Sequence, residues 1–177
     1  MAKKLISEIL ESAAKLDSQE GRREYLKDNY SVALITILKG GFDESVTWNL
    51  PKGVPPYRKD DAPKGLEPTT LYRQQKMFGK YFMKGGRGDS LTPVKREGMF
   101  INMLESLHPD EAELVLAMVS KEGLTGRYKG ITLKLVQDTF PALIPVVEKP
   151  KAKKEEKVVA KKKVNKKSKA TKVKTDK

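Results

Sequence analysis

The segment Gly123 to Lys134, GLTGRYKGITLK, gathers groups that hold an anion without catalysing anything. Gly130 precedes an apolar helical pattern, and a helix start carries unpaired N–H groups and a partial positive charge. The amides of Gly130, Ile131 and Thr132, the Thr132 hydroxyl, and the charges of Arg127, Lys129 and Lys134 would together suit a phosphate. A helix start packed inside a domain uses the same residues, so both readings stand. A second basic turn, Lys84-Gly85-Gly86-Arg87, offers either another contact to a nucleic-acid backbone or a flexible connector. It is no phosphate loop, because no window has the Gly-x-x-x-x-Gly-Lys-Ser/Thr spacing. Trp48 and Tyr57 near Lys52, Arg58 and Lys59 form a basic-aromatic mixture that stacks on unpaired bases or anchors a loop.

Groups for covalent or metal chemistry are scarce. The chain has no Cys and a single His, His108, which excludes a disulfide framework, a thiol nucleophile and a Cys/His zinc site. His108 stands just before Pro109 and reads as a helix-cap neighbour rather than a general base. The adjacent carboxylates Asp43-Glu44, Asp60-Asp61 and Asp110-Glu111 could hold magnesium in a nuclease, but no Lys or His stands at nuclease spacing from them. The expectation is therefore no enzyme, no metal and no cofactor. Gln75, Phe78, Tyr81 and Phe82 approximate a sliding-clamp-binding peptide, although Phe78 replaces the usual aliphatic residue and the same spacing makes a core-facing stripe.

The elements that must position these residues read as helices. Leu5, Ile9, Leu10, Ala13 and Leu16 recur at steps of three and four, predicting a helix over Lys3 to Leu16. Asp17 with Glu20 predicts a capping box for a second helix that stops at Asn29. Val32 to Leu38 is read as a third, ended by Gly40-Gly41. Five prolines between Asn49 and Pro68 predict an irregular loop. Further helices are expected over Thr69 to Lys84, ended by Gly85-Gly86; from Pro93 behind a Thr92 cap; from Pro109; and from Gly130 to Thr139. The expected fold class is a compact all-α domain over residues 1 to 148.

Net charge separates that domain from the remainder. The 177 residues carry +13 overall, yet Lys149 to Lys177 alone holds 14 Lys against three acids, leaving the body near neutral. With no aromatic, Leu or Ile, this tail is expected to be disordered and to attract a polyanion through residues such as Lys153, Lys154, Lys161, Lys162, Lys163, Lys166 and Lys167. No apolar run reaches membrane-span or signal-peptide character, so a soluble, intracellular protein is expected.

Gly130, Thr132, Phe140, Pro141, Leu143, Ile144 and Pro145 stand in an order that resembles the end of the N-terminal α-helical DNA-binding domain of ATP-dependent DNA ligases, most closely those of T-even-type bacteriophages. The stretches Asp110 to Leu124 and Lys4 to Asn29 resemble earlier helices of that domain, while Phe42 to Asp89 has no counterpart. The resemblance implies a grip on the sugar-phosphate backbone of duplex DNA, with nick or end preference, in an infected bacterial cell, at the nucleoid or packaged in the virion. The Lys-x-Asp-Gly motif that accepts adenylate in those ligases is absent, so the resemblance does not imply ligation. The expected function is non-enzymatic, sequence-tolerant duplex DNA binding. The alternatives are an adaptor for a replication, transcription or packaging protein, and a virion-internal DNA-condensing protein.

Overall fold

A computed structural model describes residues 3–144 except 52, 62 and 122. The Lys-rich segment 149–177, with the tail lysines named above, lies outside the described residues. Within them the chain forms eight α-helices and no strand: α1 (Ile6–Lys15), α2 (Gln19–Asp28), α3 (Val32–Phe42), α4 (Leu71–Met77), α5 (Pro93–Glu105), α6 (Pro109–Val119), α7 (Gly123–Arg127) and α8 (Leu133–Thr139). The expected all-α class is what forms.

Helix α6 is the hub, packing against α1, α3, α5 and α7. Its Leu114, Val115 and Met118 are buried with Ile6, Ile9 and Leu10 of α1 and Leu34, Ile37 and Leu38 of α3. Such side chains each contribute about 1.5–3 kcal/mol on leaving water, which explains why the short helices persist here when they would melt alone. Phe78, Phe82 and Phe100 continue the core as an aromatic chain, with Phe82 and Phe100 edge-on at 5.3 Å.

Several expected boundaries move, each for a local reason. The cap of α2 is Ser18, whose Oγ accepts from the Gly21 N–H at 3.0 Å; the Asp17-Glu20 box does not form. Helix α3 runs through Gly40-Gly41 to Phe42 instead of stopping there. These glycines seat the neighbouring helices: a Cβ on Gly40 would stand 2.7 Å from Met118 Sδ, and one on Gly41 would overlap Leu124. The C-terminal end of α3 is closed by Lys121, whose ammonium donates to the carbonyls of Asp43 and Val46. The single helix expected over Thr69 to Lys84 is α4 followed by one π turn, Phe78–Phe82, and Lys84 lies beyond it. An isolated antiparallel bridge between Trp48 and Met83 holds that exit. Helix α8 begins at Leu133 rather than Gly130.

No described helix is long and apolar enough to cross a membrane. The Pro-rich loop is irregular as expected, and Glu105, Glu113 and Glu8 pin it by accepting from Arg58 N–H, Lys59 and Lys64 at 3.0, 2.7 and 2.9 Å.

Candidate nucleic-acid interface

The turn between α7 and α8 is built by Gly130, which adopts φ +90°, a left-handed conformation that favours glycine. The guanidinium of Arg22, from α2, lies against it: a Cβ on Gly130 would stand 2.6 Å from Arg22 Cζ. Arg23 pairs with Asp138 and ties α2 to α8 beside the same turn. Part of the expected amide cradle is spent inside the protein. The Ile131 N–H donates to the Tyr128 carbonyl at 3.1 Å and its side chain is buried, while the Thr132 hydroxyl caps α8 by accepting from Leu135 N–H at 3.3 Å. Arg127 is held by Glu113 at 2.6 Å and also donates to the Tyr128 hydroxyl. Lys129 and Lys134 are exposed. The Ile131 amide is thus taken up inside the protein and Thr132 serves as the cap of α8, while Arg22 joins the turn from a position 108 residues upstream that no local spacing could reveal.

The segment Lys84-Gly85-Gly86-Arg87 is not a flexible connector. Asp89 closes it, accepting from the Gly85 N–H at 2.7 Å and from the Asn49 amide at 2.8 Å. A Cβ on Gly86 would meet the Gly79 carbonyl at 2.5 Å, and one on Gly88 would collide with the Tyr81 backbone. Buried Arg96 donates to the Gly88 carbonyl at 2.6 Å. The turn thus holds Lys84 and Arg87 outward on a fixed frame.

Gln75, Phe78, Tyr81 and Phe82 do not form a displayed clamp-binding peptide. Phe78 and Phe82 are fully buried, and Gln75 Oε1 lies 3.4 Å from the Thr36 hydroxyl. These aromatics belong to the core because the π turn rotates them inward. Trp48 is likewise committed, its ring edge-on to Phe78 at 6.2 Å, and Lys59 is held by Glu113.

Two glutamates of α6 divide the electrostatics. Glu113, two residues from Glu111, takes hydrogen bonds from Lys59 and Arg127, which hold its carboxyl below the usual carboxylate range. Glu111 is 0 % exposed, and each of its oxygens accepts one backbone N–H at 3.0 Å, from Ile6 and from Leu71. It therefore caps the first turns of α1 and α4 at once. Burial pushes its carboxyl up despite these bonds. His108 caps α6 by accepting from Asp110 N–H at 3.2 Å. Among the described residues no three of His, Asp or Glu group to hold a metal.

A family model, described as a family of unknown function (DUF6433), matches residues 9–124. The chain belongs to the DUF6433 family. That match runs from α1 to the start of α7, so the DUF6433 region includes the Lys84 to Arg87 turn and ends before Arg127 and Gly130. No curated protein and no solved structure matches the chain.

Proposed function

We propose that this DUF6433 protein is a non-enzymatic, sequence-tolerant binder of duplex DNA that acts on the phosphate backbone. The observation that carries the reading is the charge distribution: 14 lysines in the final 29 residues, attached to a body that is nearly neutral. Duplex DNA presents one negative charge per about 1.7 Å of axis, and each Lys that neutralises a phosphate releases a counterion. The likeness of Gly123 to Pro145 to the phage ligase DNA-binding domain points the same way. At the Gly130 turn the binding groups are the charges of Arg22, Lys129 and Lys134, because the Ile131 amide already donates to Tyr128. Lys84 and Arg87 add a second contact.

Salt-dependent binding of the full chain to intact, nicked and single-stranded DNA of one sequence tests this. Replacing Lys153, Lys154, Lys161, Lys162, Lys163, Lys166 and Lys167 with Gln removes up to seven contacts and flattens the log-log salt slope by about 6. A wild-type chain whose DNA affinity does not respond to salt sinks the reading. The adaptor reading draws on a different observation, a cleft of about 510 Å³ whose lining includes Trp48, Val54, Phe100, Leu116 and Val119. A partner captured after complete nuclease digestion would favour it.

A further inference from the structure

The near-neutral body hides a strong local imbalance. From Thr69 to Arg96 the sequence carries seven bases and one acid, Asp89. That acid is turned to Gly85 and Asn49, and Arg96 is buried on the Gly88 and Leu91 carbonyls. The remaining six, Arg73, Lys76, Lys80, Lys84, Arg87 and Lys95, are exposed, and none joins an ion pair among the described residues. Arg73, Lys76 and Lys80 follow one another by three and four residues along α4 and into the π turn, the spacing of one helix face.

Beside this row lies a recess of about 320 Å³ between α3 and the π turn. Lys39 of α3 and Lys76 of α4 both line it, with Thr36 and Gln75 as polar groups and no acidic residue in the wall. Gly79 lines it too, and a Cβ there would meet nothing within 4 Å, so bare backbone is open to an incoming group.

We infer that this face, Lys39 with Arg73, Lys76, Lys80, Lys84 and Arg87, is the surface on which the folded body seats a run of DNA backbone phosphates. A row of cations at steps of about 5 Å matches a polymer of anions rather than one isolated anion. None of the large exposed hydrophobic residues, Leu16, Tyr30, Val32, Val54, Leu66, Val94 and Leu133, lies within Arg73 to Arg87, so the row has no apolar anchor for a lipid surface. The inference rests on the DNA-binding reading above and assigns its main body contact to a different place from the Gly130 turn.

The test uses the full chain carrying Lys39→Gln, Arg73→Gln, Lys76→Gln and Lys80→Gln together. The expected result is a log-log salt slope flatter by about 3–4 on duplex DNA, with an unchanged thermal midpoint. A control loses the same charge elsewhere through Lys3→Gln, Lys4→Gln, Lys15→Gln and Lys27→Gln, and keeps the steeper slope. An unchanged slope in the first variant while the tail-dependent slope persists overturns this inference alone. An equal fall in the control overturns it, because the slope then follows total charge rather than this face. If the first variant keeps its DNA slope but loses capture by polyglutamate beads, the face takes an acidic protein and the inference falls. Absence of any salt-dependent DNA binding by the wild-type chain overturns the functional reading and this inference with it.

Discussion

The bases gathered about the Gly130 turn, Arg22, Arg23, Arg127, Lys129 and Lys134, and those between Arg73 and Arg87 are treated differently by the fold. At the turn, Arg127 is bound to Glu113, Arg23 to Asp138, and the Ile131 amide to Tyr128. Along α4 and the π turn the cations face water, and Asp89, the one acid in the sequence from Thr69 to Arg96, is turned into the Lys84–Asp89 turn. Both stretches look like phosphate sites by composition. The difference is whether the polar groups already have partners, because a group satisfied inside the protein must break that bond before it can serve a ligand.

Substitutions separate the two cases. Those at the turn's paired groups, Arg23 and Arg127, should change stability and leave the salt slope of DNA binding alone, whereas those in the open row should do the reverse. The largest effect is expected where the row's frame is tightest: Gly88→Ala forces a Cβ into the Tyr81 backbone and should cost about 3 kcal/mol in urea unfolding. It displaces Lys84 and Arg87 as well, so it is the one change expected to lower both stability and slope.

Next comes Glu111→Gln, which puts an amide NH₂ against one of two helix-start N–H groups and should cost about 2–3 kcal/mol at neutral pH. Because burial raises the Glu111 pKa, the folded state holds its proton above the ordinary value of 4.5. Wild-type stability therefore declines as pH rises from 4.5 through the raised value, and the Gln variant lacks that decline in a pH series of unfolding curves.

A smaller loss is expected from Arg127→Ala, about 0.5–1 kcal/mol because the pair with Glu113 is partly solvated. Glu113 has a lowered pKa, so its stabilisation is present above its ordinary value and lost as pH falls through the lowered one. Removing Arg127 should shrink that acid-side loss without altering the DNA salt slope. The smallest change is a gain: Gly79→Ala meets no atom within 4 Å and should add about 0.5 kcal/mol to thermal stability while filling part of the recess.

The helices were legible because their apolar residues recur every three or four positions and because Thr92-Pro93 and His108-Pro109 mark starts that the chain uses. Stops were harder to read. Gly40-Gly41 has the composition of a terminator, but its role depends on Met118 and Leu124, about 80 residues away. The choice of Ser18 over Asp17 as a cap turns on one residue of register, which side-chain chemistry alone does not separate. At the candidate site, the charges of Lys129 and Lys134 were legible as exposed, while the internal partners of Ile131 and Thr132 were not. Glu111 was legible as a first-turn acid of α6, yet its neighbours Ile6 and Leu71 are set by tertiary packing. The row from Arg73 to Lys80 has helical spacing in the sequence, but only the folded chain shows that it joins no ion pair among the described residues.

Glu111 also sets a schedule for how the chain can assemble as it is made. Ile6 lies 105 residues before its partner and Leu71 lies 40 before the same carboxylate. At ribosomal rates of 5–20 residues per second, α1 waits about 5–20 s between its own synthesis and the arrival of the group that caps it. Until then Ile6, Ile9 and Leu10 lack the α6 wall, and a ten-residue helix without that wall is marginal in water. Completion of the core therefore waits for α6, which brings both that wall and the Glu111 cap.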